Sequence, residues 1–290
     1  MTGLRRNTVR LEPHDPAWED TARQTIHRLR EILGGAARDI QHIGSTSIPH
    51  IMAKPIIDIA VAVNRLDDID RFIPQLEQNG FIHRPVNDNE WQRFFACGDL
   101  AADTRDHHIH VVRYDGNEWR NYINFRGYLT RYPEEAAKYE EVKRALAARY
   151  PSDRDSYTDG KGEIIAYLLR KATVWSWLGK TAHILIDRPI GYIHRKSGYT
   201  LEYPINYGYI PGVPGGDGEE LDVYLLGVDE PAEQFDCRIY GIVHRRNDVE
   251  DKLVAAPAGF TADDGEISAA VRFQEKYYDS VISRNFYPIL

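Results

Sequence analysis

Four carboxylates, Asp217, Glu219, Glu220 and Asp222, fall within six residues, in and just behind the turn-forming run Pro214-Gly215-Gly216-Asp217-Gly218. Carboxylates this close repel one another unless a cation sits among them. Hard oxygen donors suit Mg²⁺, which keeps part of its water shell and meets phosphate oxygens. A solvated acidic turn is the plainer account, and composition alone favours it. The aromatic run Tyr203-Pro204-Ile205-Asn206-Tyr207-Gly208-Tyr209 precedes the acids, with Pro, Asn and Gly setting special backbone angles.

The N-terminal half holds a second set. Gly44-Ser45 lies in a small-residue turn, and Asp58 interrupts the apolar run from Ile56 to Val63. A Gly-Ser turn at a helix start offers backbone N–H groups to an anion. A carboxylate on a buried strand is costly unless it is paired or metal-bound. Pairing with Lys54 or the turn backbone answers that cost as well as a metal does. His108 and His110 share one face of a strand and can hold a metal or a phosphate, or serve as satisfied core residues.

The elements that position these groups follow from pattern. A short strand is expected over 8–11, and Asp15-Pro16 opens a helix that ends at Gly34-Gly35. A strand near 40–43 leads into the Gly-Ser turn, and a second carries Asp58. A helix over 66–78, closed by Asn79-Gly80, precedes strands at 81–84, 91–96 and 106–112. Helices then fill 122–131, 134–149 and 163–177. In the second of these, Tyr139, Val142 and Leu146, with Tyr150 behind them, form a stripe that reads as core. From Thr181 the period changes to two: a strand at 183–186, a hairpin turning near Lys196-Ser197-Gly198, and strands at 221–226, 237–244 and 252–256. The strand at 221–226 sets Asp222 and Tyr224 on one face. A helix over 264–282 completes an α+β N-terminal domain (1–175) and a small OB-like barrel (176–290), joined without a long linker.

Composition narrows the classes. With 290 residues and 42% hydrophobic content, two domains can each bury a core. No apolar run reaches the roughly 20 residues that span a bilayer, and the N-terminus carries no apolar signal region. Cys97 and Cys237 form no metal or redox motif, so a cytoplasmic protein with reduced thiols is expected. Residues 176–290 hold 11 Lys/Arg against 18 Asp/Glu, while residues 1–175 are nearly neutral. That acidic half argues against a nucleic-acid partner.

The wording YPINYGYIPG followed by DGEELDVYLLG resembles the soluble inorganic pyrophosphatases. So do the acidic loop Asn247-Asp248-Val249-Glu250-Asp251-Lys252 before Leu253-Val254-Ala255, and the late run Phe273-Gln274-Glu275-Lys276-Tyr277-Tyr278-Asp279. The resemblance implies the pyrophosphatase fold and Mg²⁺-dependent hydrolysis of a phosphoanhydride, with Mn²⁺ as a substitute. It implies metal ligation by Asp217, Asp222 and Asp248, with either Glu250 or Asp251 in the remaining acidic place. Glu219 stands where the family has the Asp that deprotonates the nucleophile. Tyr207, Lys252 and Tyr277 would bind phosphate oxygens, and Asp187 matches a family Glu. A compressed hairpin leaves His194, Arg195 and Lys196 in place of the family's clamping Lys and Arg, and Tyr278 stands for a Lys.

HIGSTSIP, AKPIIDI, RFF, HIHVV and NFRGYL together resemble the GrpB family across nearly all of residues 8–172. The resemblance implies a minimal nucleotidyltransferase fold in which Gly44 and Ser45 cradle phosphate and Asp58 binds metal. Lys54, Arg93, His108 and His110 would line the pocket. Active transferases carry two acids one residue apart, and here Asp58-Ile59-Ala60 has one. Two readings follow: a pyrophosphatase-type hydrolase joined to a nucleotide-binding domain, or a regulatory protein that binds nucleotide or phosphate on two degenerate folds. The partner in either is a small phosphate or nucleotide, and a homo-oligomer is compatible with both.

Overall fold

The computed structural model describes residues 3–99, 101–196 and 198–284. The chain divides into two compact units, one up to Leu169 and one from Arg170.

The N-terminal unit is built from β1 (Leu4–Arg5), α1 (Ala17–Leu33), β2 (Ala37–Ile43), β3 (Ile57–Val63), α2 (Ile73–Gln78), β4 (Ile82–His83), β5 (Gln92–Cys97), β6 (Thr104–Arg105) and β7 (His107–Arg113). α3 (Asn117–Arg131), α4 (Pro133–Arg149) and α5 (Arg154–Asp159) follow, and α6 (Gly162–Trp175) contains the division point. Its five-stranded sheet has the order β2-β3-β7-β5-β4, with β3 and β7 parallel. β3 is an interior strand buried along nearly its whole length, which is why its sequence is almost unbroken Ile, Val and Ala. One face packs beneath α1 through Trp18, Leu29 and Leu33, which meet Ile57, Ile59, Val61 and Ile109. Each large apolar side chain so buried contributes about 1.5–3 kcal/mol. The opposite face carries Asp58, Ala60, His108 and His110, and only its far end is closed, by Trp119 of α3.

Several expectations for this half are corrected. The strand expected at 8–11 is not formed; β1 pairs with β6 instead, and Glu12 makes an isolated bridge to Ala53. The helix expected over 66–78 is a 3₁₀ segment (Leu66–Phe72) followed by α2, because Pro74 lacks the N–H that a continuous helix needs. α5 was not anticipated; Asp153 caps it by accepting from the Ser156 N–H at 3.1 Å. On α4 the buried positions are Ala136, Tyr139 and Lys143, whereas Val142, Leu146 and Tyr150 are only partly covered.

The C-terminal unit holds β8 (Thr181–Arg188), the hairpin β9 (Ile193–Lys196) and β10 (Tyr199–Glu202), β11 (Asn206–Pro214) and β12 (Glu220–Leu225). β13 (Gln234–Arg245), β14 (Lys252–Ala256), α7 (Asp264–Glu275) and β15 (Ser280–Ser283) complete it. Strands β8, β11, β12, β14 and β13 close on themselves, since β14 pairs with both β12 and β13. Their inner face is Ile184, Leu221, Val223, Leu225, Ile239 and Leu253. An outer face of Tyr203, Tyr207, Tyr224 and Val254 is covered by Ile267 and Val271 of α7. This is the closed barrel with a C-terminal helix that the sequence implied. The helix is shorter than 264–282: it stops at Glu275, and β15 pairs with β13. Ser197, in the hairpin turn, lies outside the described residues. Among the described residues no helix is long and apolar enough to cross a membrane.

Candidate functional site

In the N-terminal unit, strand register assembles the site. Asp58 lies opposite His108 and Ala60 opposite His110 on the parallel pair. Asp58 Oδ1 accepts from His108 Nδ1 at 3.0 Å, and His110 Nε2 stands 3.7 Å from the same oxygen. Arg154 Nη2 donates to His108 Nε2 at 3.2 Å, completing a relay from guanidinium through imidazole to carboxylate. Burial alone would raise the Asp58 carboxyl, but bonds from His108 and His110 outweigh it and hold the group well below the carboxylate range. Burial lowers His108, so the imidazole is neutral. Gly44 has φ +70°, and a Cβ there would lie 2.4 Å from Asp58 Oδ2; only glycine lets the turn close over the acid.

A cleft of about 310 Å³ opens beside this relay and is lined by Gly44, Ser45, Lys54, Asp58, His108 and His110 together. Arg93 is not among them. Alternation along β5 turns Phe94 toward His108 and His110, and Arg93 instead pairs with Asp67, Asp70 and Asp88. Sequence reasoning missed Arg154, Lys143 and Lys161, which also line the cleft. The signal for Lys143 was its helical spacing from Tyr139; six-residue α5 gave none for Arg154.

The two-metal chemistry of a transferase does not fit this face. Asp58 Oδ1 is engaged by two imidazoles, Oδ2 sits against Gly44, and Ala60 offers no second carboxylate. Among the described residues one group of His, Cys and carboxylate ligand atoms converges within 4.8 Å: Cys97, Asp106 and His107. Both nitrogens of His107 are already used, by Asp106 at 2.8 Å and by Thr25 of α1 at 3.0 Å.

In the C-terminal unit, Tyr207 of β11, Asp222 of β12 and Lys252 of β14 meet on the outer barrel face. Tyr207 Oη donates to Asp222 Oδ2, and Lys252 Nζ donates to the same oxygen. Lys252 also donates to Tyr207 Oη at 2.6 Å and to Glu250 Oε2 at 3.0 Å. Burial together with the Asp222 carboxylate raises Glu250 to about 7, so one proton is retained between two acids. Asp222 and Glu250 share Lys252 and retain a proton between them, and two adjacent acids of this kind are a donor set that fits a hydrated divalent cation once that proton is released. Gly216 packs so closely on Val249 that a Cβ would lie 2.0 Å from its carbonyl oxygen. That contact sets the turn bearing Asp217 and Glu219 beside the loop bearing Asp248 and Glu250. Asp217 and Glu219 are exposed, with Asp217 Oδ1 accepting from the Glu219 N–H at 3.0 Å.

Of Glu250 and Asp251, Glu250 is the one that shares Lys252 with Asp222. Asp251 faces the other way, buried, accepting from Lys171 at 2.7 Å and His244 at 2.8 Å, so its carboxylate is already partnered. Asp248 accepts from Arg245 Nη1 at 3.1 Å. The Arg245 guanidinium also grips Glu275 and lies 3.6 Å from the centroid of Tyr278. Beyond Tyr207 a groove of about 410 Å³ is lined by Arg188, His194, Tyr203, Tyr277 and Tyr278. Asp187 is half-exposed, and burial with the nearby Asp222 charge raises its carboxyl. Arg188 was missed; it donates to Tyr203 Oη at 2.8 Å and sits 5.1 Å from the Tyr207 ring centroid. Arg195 does not reach the groove, since alternation along β9 turns His194 in and leaves Arg195 exposed. The Lys196 side chain lies outside the described residues.

The sequence model of the GrpB protein family matches residues 8–171, and that of inorganic pyrophosphatase matches residues 179–282. The chain is 36% identical over 173 residues to the Glutamate-rich protein GrpB of Alkalihalophilus pseudofirmus, spanning 59% of this chain and 99% of that protein. The crystal structure of conserved protein GrpB from Enterococcus faecalis aligns at 29% identity with a TM-score of 0.51, over 56% of this chain and 98% of that one. An inorganic pyrophosphatase from Neisseria gonorrhoeae aligns at 22% identity with a TM-score of 0.27, over 34% of this chain and 74% of that one. With the five-stranded α+β sheet in one unit and the closed barrel in the other, the chain belongs to the GrpB family and carries an inorganic pyrophosphatase domain behind its GrpB domain.

Proposed function

We propose that the C-terminal domain hydrolyses a phosphoanhydride, inorganic pyrophosphate or a related compound, and that the GrpB domain binds a nucleotide. One observation carries the first part: Tyr207, Asp222, Glu250 and Lys252 converge in one hydrogen-bonded knot, and Arg188, which lines a groove with Tyr277, sits 5.1 Å from the Tyr207 ring centroid. Mg²⁺ or Mn²⁺ held by Asp222 and Glu250, with Asp217 from the adjoining turn, would neutralise phosphate charge and acidify a bound water. Lys252 and the Tyr207 hydroxyl bind phosphate oxygens, and Arg188 and Tyr277 take the distal end of the substrate. Glu219, two residues from Asp217, accepts the proton of the attacking water. Among the described residues the groove offers one Arg where the family has a Lys and an Arg, which favours a substrate less charged or larger than bare pyrophosphate.

A second reading is favoured by Arg245, whose buried guanidinium already neutralises Asp248 and leans on Glu250 at 3.4 Å. A domain so filled with its own cations would bind phosphate without turning it over. Phosphate release from pyrophosphate, nucleotides and nucleotide sugars, with and without Mg²⁺, separates the two. Asp222→Asn is expected to slow release from the best substrate by about 100-fold or more. Equal rates for variant and parent would remove Asp222 from the site. Substrate binding without release from any compound would establish the second reading.

A further inference from the structure

The cleft of the GrpB domain holds more positive charge than its carboxylate can balance. Lys54, Lys143, Lys161 and Arg154 all line it, and Asp58 is the single carboxylate in the lining. Among the described residues no carboxylate pairs with any of the three lysines. Their ammonium groups rest instead on aromatic faces: Lys54 and Lys161 lie 4.8 and 4.7 Å from the centroid of Tyr157, and Lys143 lies 4.6 Å from that of Tyr139. Lys143 is 1% exposed, and its remaining bond is to the Met52 carbonyl. A buried ammonium without a counter-ion is costly, and convergence of three on one cavity compounds the cost through mutual repulsion. A bound polyanion relieves both.

Asp58 offsets at most one of these positive charges, and no other carboxylate lines the cleft. Its Oδ1 accepts from His108, and with Ala60 two residues on there is no paired acid to hold a divalent cation against a bound phosphate chain. We propose that this cleft takes the polyphosphate of a nucleoside triphosphate directly on the ammonium groups of Lys54, Lys143 and Lys161, in place of a bridging divalent cation. The proposal rests on the reading of this domain as a nucleotide site. An adjoining cleft of about 830 Å³ shares Phe94, His108, Arg154 and Thr158 with the first and gives room for the ribose and base. Its aromatic edge is Phe94, and Arg6, Arg84 and Arg105 line its rim.

The charge state of the cleft supports this use. Burial, then Arg154 and Lys161, push Lys54 down to about 7, with Asp58 opposing. Burial, then Lys161, push Lys143 down to about 7, with Glu140 opposing. A polyanion set among these groups raises both, so binding at pH 7.5 draws in about one proton.

Calorimetric titration of the whole chain with ATP, and separately with inorganic tripolyphosphate, in EDTA and in excess Mg²⁺ tests this directly. Runs in two buffers of different ionisation enthalpy count the protons. The expected result is ATP binding in EDTA within about threefold of that in Mg²⁺, with proton uptake, and a tenfold or greater loss in Lys54→Met/Lys161→Met. That double variant should unfold at the same or a higher temperature than the parent, because it removes unpaired positive charge from the cleft. If it unfolds lower, Lys161→Gln alone repeats the titration. Binding in EDTA that survives the substitutions places the anion elsewhere and overturns the proposal. Binding that appears only with Mg²⁺ also overturns it while leaving a nucleotide site intact. No binding of ATP under either condition overturns the nucleotide reading itself.

Discussion

Glu250 is the residue on which the proposed hydrolysis turns. Its carboxyl is raised from 4.5 to about 7, first by burial and then by the Asp222 carboxylate. Between those two values the folded protein keeps a proton that the unfolded chain has released. Folding stability from this group is therefore fully present below the lower value and is lost as pH rises through the higher one. A divalent cation displaces that proton, so Mg²⁺ affinity should climb with pH up to about 7 and then level off. Glu250→Gln should flatten both profiles and weaken Mg²⁺ binding by about 10- to 100-fold, read by calorimetry and by urea unfolding at pH 5 to 8. An unchanged Mg²⁺ profile would take Glu250 out of the donor set. Much of this knot was legible: Tyr207, Asp222 and Lys252 sit in ordered motifs, and the structure unites them. Arg93 faces away from the cleft because it is next to Phe94, and alternation along β5 sends neighbours to opposite faces. Asp251, in the loop before β14, turns to Lys171 and His244 instead.

Strands carry these residues to one place, and the closest backbone approach among them is at Gly208. It follows Tyr207 at a shift in the β11–β8 register, and a Cβ there would lie 1.8 Å from the Leu185 carbonyl oxygen. Gly208→Ala must push β8 away from β11. It is expected to cost about 1–3 kcal/mol and to lower hydrolysis together with stability, since Tyr207 moves with the strand. Thermal unfolding and phosphate release on the same sample check it; a variant as stable as the parent would mean that β8 yields without cost. Barrel strands β8, β12 and β13 were readable because period two persists in each, and β3 because its apolar run is nearly unbroken; β11 was not, because its Asn, Gly and Pro read as a turn. α5 was not, because six residues give no helical period. The overlong C-terminal helix arose because Tyr277-Tyr278-Asp279 continues a polar-apolar pattern past Glu275, where pairing of β15 with β13 takes over.

Across the whole molecule, each unit is sustained by its own core, and the C-terminal core reaches back before the barrel begins. Val174, Trp175, Trp177 and Leu178 pack against its inner cluster, and Lys171 pairs with buried Asp251. A fragment of residues 179–290 should therefore be less stable than one of residues 162–290, by about 3 kcal/mol or more, because it leaves a buried carboxylate short of a partner. Urea unfolding of the two fragments checks this, and equal midpoints would show that the segment before the barrel is dispensable. The central claim is hydrolysis by the barrel domain, and the most direct measurement is phosphate release by the intact chain across a Mg²⁺ titration at pH 7.5. The account predicts release from at least one phosphoanhydride that rises with Mg²⁺, saturates, and disappears in Asp222→Asn. Release from none of them, by a protein that binds Mg²⁺ normally, would contradict it.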